Sequence, residues 1–217
     1  MNVEFTPASA PFGSAHPALR TEDEIRQEPM IYGGSWDWCR DNAGPLTQQV
    51  MDLIEDDVKE EILPHARRGY HPVIDTKSVL LMPGQYPCIP GWHCDGVIRT
   101  RRGGQPNLCT LDDEVLHYIC SMGDSIEHQG TELAMDRQVL DVDPDNVWGS
   151  VDAQVAGRST KLLSGEVAKF RRSQLHRGLP ATARGWRYFF RMSFYHMPAV
   201  NEIRQQVQIY TDVAQGW

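Results

Sequence analysis

His93, Cys94 and Asp95 sit between Pro90-Gly91-Trp92 and Gly96. In an extended strand alternate side chains share a face, so His93 and Asp95 point together while Cys94 points away. An imidazole and a carboxylate on one face are two of the three ligands of a facial 2-His-1-carboxylate iron centre, and the third has to be a histidine from a distant strand. His176, in Leu175-His176-Arg177-Gly178, is the candidate. A His-x-Asp tripeptide alone is more often an ordinary surface or core pair, so the weight falls on the residues downstream of His176.

Residues 185–195 alternate as a strand whose one face carries Arg187, Phe189, Arg191 and Ser193. A buried guanidinium without a partner is costly, so this face either meets water or holds an anion. The other histidines (His16, His65, His71, His117, His128 and His196) lack a carboxylate two residues on and read as surface or core groups. His117 and His128 flank the sheet region and could line a pocket. Arg99, Arg101, Arg102, Arg171 and Arg172 read mainly as solvated loop charges; any that reach the pocket mouth would favour an anionic substrate.

The elements that must position these groups are read from periodicity. Residues 1–20, rich in Pro, Ala and Ser, predict an irregular arm on the surface or partly disordered. Residues 21–74 predict a helical flank: a loop packed by Trp36 and Trp38, then an amphipathic helix from 45 to about 63. Pro64 should stop that helix, and its acidic face should be solvated. Residues 75–196 predict the core, with about eight strands at 78–82, 116–122, 131–135, 139–142, 147–155, 161–163, 166–170 and 186–195 and no helix between them. Residues 161–170 read as a hairpin about Ser164-Gly165, and 197–217 as a tail. The fold class is therefore mainly β, a double-stranded β-helix (jelly roll, cupin-like) with flanking α-helix, in a single domain over 1–217.

The 217-residue chain carries a formal charge of -8, which disfavours a nonspecific nucleic-acid binder. It has no apolar run long enough to span a bilayer and no basic, apolar leader. Five cysteines without a paired framework (Cys39, Cys88, Cys94, Cys109 and Cys120) predict reduced thiols and a cytoplasmic protein.

His93-x-Asp95, the distal His176 and Arg187 eleven positions beyond it together resemble the iron(II)/2-oxoglutarate-dependent oxygenases, over about residues 75–196. Gly185-Trp186-Arg187 is similar to the start of the corresponding strand in the phytanoyl-CoA hydroxylase branch, and the taurine dioxygenase branch has an arginine at the same spacing. The resemblance implies Fe(II) on His93, Asp95 and His176, with 2-oxoglutarate and O2 as cosubstrates. Arg187 would grip the C5 carboxylate of 2-oxoglutarate, for which its planar fork is suited. Arg191 would then meet the substrate's acid group, or else hold 2-oxoglutarate while Arg187 makes a structural ion pair. Thr131, after the turn Gln129-Gly130, would stand near the cosubstrate or be an ordinary strand residue. The implied reaction hydroxylates a small molecule while 2-oxoglutarate is decarboxylated to succinate and CO2, with desaturation or ring closure as related outcomes. Halogenating relatives lack the carboxylate that Asp95 supplies. Two alternatives remain: a cupin-like metal-binding module, which leaves Arg187 unexplained, and a cupin-type dioxygenase not using 2-oxoglutarate, which commonly has three histidines.

Overall fold

The chain is built around one strand, residues 185–195, that is apolar or aromatic on both faces apart from Arg187, Arg191 and Ser193. The structure is a computed structural model that describes residues 1–15, 19–99, 104–111, 115–125, 130–204, 206, 207, 209 and 211. In chain order the elements are β1 (Asn2–Phe5), β2 (Gly13–Ser14), α1 (Glu22–Gln27), β3 (Ile31–Tyr32), β4 (Gly34–Ser35), α2 (Trp36–Asn42), α3 (Pro45–Ala66) and β5 (His71–Leu81). Then come β6 (Leu116–Gly123), β7 (Thr131–Ala134), β8 (Gln138–Asp141), α4 (Val147–Asp152), β9 (Ser159–Lys161), β10 (Glu166–Arg171), β11 (His176–Gly178), β12 (Gly185–Tyr195) and β13 (Glu202–Ile203).

The protein is mainly β, and its strands pair antiparallel. Six form the large sheet, in the order β2-β10-β6-β12-β5-β4, and three form a smaller one, β11-β7-β9. The pairs β1-β8 and β13-β3 stand apart. In the large sheet β12 lies between β6 and β5, with Arg191 opposite Ile119 on one side and Asp75 on the other. Its even-numbered side chains Tyr188, Phe190, Met192 and Phe194 are fully buried in one core with Tyr118, Cys120 and Met122 of β6. Its odd-numbered residues face the other way, and that face carries the polar groups.

Helix α3 covers the apolar face. Leu46, Val50, Ile54 and Val58 recur every four residues and are buried in that core. Gly44 at its N-cap offers no side chain, so the buried carboxylate of Glu28 accepts hydrogen bonds from the Leu46 and Thr47 amides, each at 3.0 Å. A Cβ on residue 44 would collide with Glu28 Oε2, which is why glycine stands there. The acidic face is only partly solvated: Lys169 of β10 binds Asp57 and Glu61, each at 2.8 Å, and Tyr118 hydroxyl donates to Asp57.

Several expectations are corrected. α3 runs through Pro64 to Ala66, because a proline in the last turn loses one hydrogen bond without blocking closure of the turn. Residues 31–38 form β3, β4 and the start of α2 rather than a loop, with Trp36 and Trp38 packed against the core. Residues 147–155 hold helix α4, not a strand: Val147, Trp148 and Val151 lie on one buried helical face, a spacing that β-branched valines disguised. Residues 161–170 are not a hairpin, since β9 pairs with β7 while β10 pairs with β6 and β2. Gly165, at φ 81°, instead turns the chain from one sheet to the other.

The N-terminal arm is built in: β1 pairs with β8, β2 with β10, and Phe5 is fully buried. Part of the tail is also docked, through β13 on β3. The expectations for His16, Arg101, Arg102, His128 and Gln129 lie outside the described residues. The five cysteines are free thiols, and no helix among the described residues is long and apolar enough to cross a membrane.

Because Phe5 is buried in a core with Trp92, Leu140 and Trp148 rather than lying on the surface, Phe5→Ala should cost about 3–5 kcal/mol in urea unfolding. A loss below about 1 kcal/mol would mean the arm is only loosely applied.

Candidate metal centre

Gly91, at φ 78°, bends the chain so that its carbonyl oxygen turns back to the His93 ring, 2.9 Å from Nδ1. A carbonyl only accepts, so Nδ1 carries the proton and the Nε2 lone pair faces outward. The His93 backbone makes a reciprocal pair with His176: each amide donates to the other's carbonyl, at 2.9 and 3.0 Å. The two rings are thereby set side by side, with centroids 4.6 Å apart. His93 forms only a one-residue bridge, and Asp95 opens a turn into Gly96, at φ 70°. No continuous strand joins them, contrary to expectation, because a positive-φ glycine stands on each side.

Asp95 nevertheless comes to the imidazoles. Its Oδ1 is 3.8 Å from His93 Nε2 and its Oδ2 is 3.7 Å from His176 Nε2. One ligand atom from each of the three lies within 4.8 Å of the others, which makes the trio a possible metal site. Cys94 points away into the core around Trp92, Trp148 and Leu175. Burial, then the neighbouring His176, lower the His93 pKa to about 4, so the ring is neutral. Burial pushes the Asp95 carboxyl up, but Arg191 and the two imidazoles outweigh it and hold it well below the ordinary range. A neutral His93 nitrogen and an ionised Asp95 carboxylate are states in which a divalent cation can be bound.

The trio lines a cavity of about 110 Å³. Asp75, Lys77, Ile119, Phe189 and Arg191 of the large sheet face Thr131 and His176 of the small one across it. The odd-numbered face of β12 is thus the cavity wall. His117 lies deep on that face, its Nδ1 2.7 Å from Ser193 Oγ, and burial lowers its pKa to about 3.

The two arginines are used differently. Arg191 bridges two acids, with Nη1 donating to Asp95 Oδ2 at 2.9 Å and Nη2 to Asp75 Oδ2 at 3.1 Å; Arg204 holds the other oxygen of Asp75 at 3.1 Å. Arg187 is fully buried and makes no ion pair with a carboxylate among the described residues. Its Nη2 donates to Ser121 Oγ at 2.7 Å and Thr131 Oγ1 at 3.3 Å, while Nε and Nη1 have no hydrogen-bond partner. The neighbouring Cys88 thiol is pushed up by burial and stays neutral, so it supplies no counter-charge. A Cβ at Gly130 would lie 2.8 Å from Arg187 Nη1, so a side chain there would displace the guanidinium from this position. This is the reverse of an Arg187 structural ion pair beside a free Arg191. Arg99 and Arg171 are exposed, whereas Arg172 is buried and not the solvated charge expected; none of the three lines the cavity.

Asp75, Lys77, Ser121 and Cys88 were not anticipated. The alternation Asp75-x-Lys77 in an otherwise apolar stretch was the available signal, of the same kind that marked Arg187 and Arg191.

No protein-family model matches the chain, and a search of curated proteins found no match. Among solved structures it is similar to EvdMO1, with 16% identity and TM-score 0.31 over 58% of this chain and 27% of that one. ThoJ, a non-heme monooxygenase in its nickel complex, matches with 10% identity and TM-score 0.41 over 88% and 74%. An N-substituted L-amino acid dioxygenase from Burkholderia ambifaria AMMD matches with 16% identity and TM-score 0.33 over 56% and 50%. The chain spans about a quarter of EvdMO1 and half of the dioxygenase. TM-scores this low do not establish a shared fold.

Arg191→Met strands Asp95 and leaves Asp75 to Arg204, and should destabilise the metal-free protein by about 2–3 kcal/mol, somewhat less than a fully buried pair because Arg191 is a quarter exposed. Arg187→Met removes an unpaired buried charge and should be neutral or stabilising; urea midpoints showing the opposite order would refute this division. With folded-state pKa values near 4 for His93 and 3 for His117 against an unfolded 6.5, the unfolded chain binds more protons in between. Metal-free stability should therefore be full above pH 6.5 and fall as pH drops toward 4. Asp95, depressed in the folded state, adds its loss only at lower pH. A urea midpoint unchanged from pH 7.5 to 5 would contradict this.

Proposed function

We propose that the protein is an Fe(II)/2-oxoglutarate-dependent oxygenase that hydroxylates a small molecule, its two facing sheets being the halves of a double-stranded β-helix. The observation that carries the reading is the convergence of His93, Asp95 and His176 in one cavity beside Arg187, a buried guanidinium with no counter-ion among the described residues. The donor set fits: two imidazoles and one carboxylate are the ligands preferred by non-heme Fe(II) sites that keep open positions.

When bound, the iron would supply activation of O2 coupled to oxidative decarboxylation of 2-oxoglutarate to succinate and CO2. The chain's own residues do the rest. The Gly91 carbonyl fixes the His93 tautomer, and Arg191 orients Asp95 and keeps it ionised. Arg187, steadied by Ser121 and Thr131, offers its two free nitrogen positions to the distal carboxylate of 2-oxoglutarate. Ile119 and Phe189 give the cavity apolar walls that limit water. Retention of the carboxylate at Asp95 favours hydroxylation over halogenation. A metal-binding module without oxidation would have no use for the unpaired Arg187.

Anaerobic titration should show binding of one Fe(II) and of 2-oxoglutarate, and succinate should form in air. Asp95→Ala should lose iron binding, whereas Arg187→Met should keep it and weaken 2-oxoglutarate by about a hundredfold. Normal 2-oxoglutarate turnover in Asp95→Ala, or unaltered cosubstrate affinity in Arg187→Met, would overturn the proposal.

A further inference from the structure

The cavity wall on the large sheet carries two cations, Arg191 on β12 and Lys77 on β5 directly opposite Phe189, with the buried Arg187 two residues along β12 from Phe189. The charge of Arg191 is taken up by Asp95 and Asp75, and Asp75 is also held by Arg204. Lys77 lines the cavity but makes no hydrogen bond or ion pair among the described residues. It is mostly buried, and burial, followed by the nearby Arg191, pulls its ammonium below the ordinary lysine value, as expected for a cation without its counter-ion.

Lys77 also belongs to a second, wider hollow of about 300 Å³ that it shares with Asp75, Arg191, Tyr32, Tyr195 and Val200. It therefore stands where the inner cavity meets the outer one. Next to it the inner lining is apolar: Ile89, Ile119 and Phe189. Of the three cations that line the outer hollow, Arg191 and Arg204 are paired with acids, so a molecule entering from outside would meet in Lys77 the one without an ion pair among the described residues before reaching His93, Asp95 and His176.

We propose that Lys77 is the anchor for the substrate's own acid group, and that the substrate is a small monocarboxylic acid with an apolar body lying toward Ile119 and Phe189. One ammonium matches one carboxylate; Arg187, on the far side of Phe189 along β12, is left for a different anion. The inference rests on the oxygenase reading for what happens to the bound acid, but not for the binding itself. Lys77 fixes specificity in it and takes no part in bond making.

The test uses a matched probe pair of equal shape, isovalerate and its uncharged amide isovaleramide, with ligand-observed NMR titration of the whole metal-free protein. Wild type should bind the acid at least about tenfold more tightly than the amide. Lys77→Met should abolish that preference and Lys77→Arg should keep much of it; Lys77→Gln serves if Lys77→Met does not fold. Binding of 2-oxoglutarate to the Fe(II)-loaded protein, followed anaerobically, should be unchanged within about threefold in Lys77→Met and weakened about a hundredfold in Arg187→Met. Equal binding of acid and amide by wild type, or a preference that survives in Lys77→Met, would overturn the inference. So would loss of 2-oxoglutarate in Lys77→Met but not in Arg187→Met, which would make Lys77 the cosubstrate anchor. If 2-oxoglutarate binds no form of the protein, the oxygenase reading fails, while the acid-over-amide preference still decides the role of Lys77.

Discussion

Two peptide hydrogen bonds between His93 and His176 are the constraint on which the centre depends. Residues more than eighty positions apart are locked opposite one another by their backbones, so neither imidazole relies on its side chain to find the other. The Gly91 carbonyl then removes the remaining freedom of the His93 ring. Asp95 needs no such backbone partner, because Arg191 brings its carboxylate to the same place. Geometry from the main chain and electrostatics from one guanidinium thus combine to hold three ligand groups together.

The large sheet separates stability from chemistry by parity. On β12, even-numbered aromatic and aliphatic side chains go under α3, while odd-numbered ones face the cavity. Apolar burial of order 1.5–3 kcal/mol per large side chain on one face can offset the cost of polar groups left short of partners on the other. The orphaned nitrogens of Arg187 and His117 lie on that polar face. Such shortfalls are tolerated where a protein binds something, and Arg191, with an unpartnered Nε, lines the cavity itself.

The candidate centre was largely legible in the sequence, because period-two alternation assigns side chains to faces without knowledge of tertiary structure. Arg187 with Arg191 could be grouped in this way; His93 and Asp95 come together although no continuous strand joins them, so there alternation gave the right pair for the wrong local structure. What alternation does not give is the partner across a sheet, so Asp75 and Lys77, set beside β12 by register alone, were missed. The fold was legible where elements are long, as in α3, β6 and β12. It was misread where elements are short: the single buried face of α4 resembled a strand, and the turn at Gly165 resembled a hairpin. The N-terminal arm went unread because its strands are held by β8 and β10, remote partners that no local pattern announces.

The bridge from Asp95 through Arg191 and Asp75 to Arg204 has an effect beyond holding a carboxylate in place. Any cation that settles on Asp95 must share it with Arg191, so the ease of loading depends on how firmly Asp75 draws that arginine the other way. Arg204 sets that pull from a residue just past the final strand, β13. Selection could therefore retune the centre's appetite for metal by changing a side chain that never touches it.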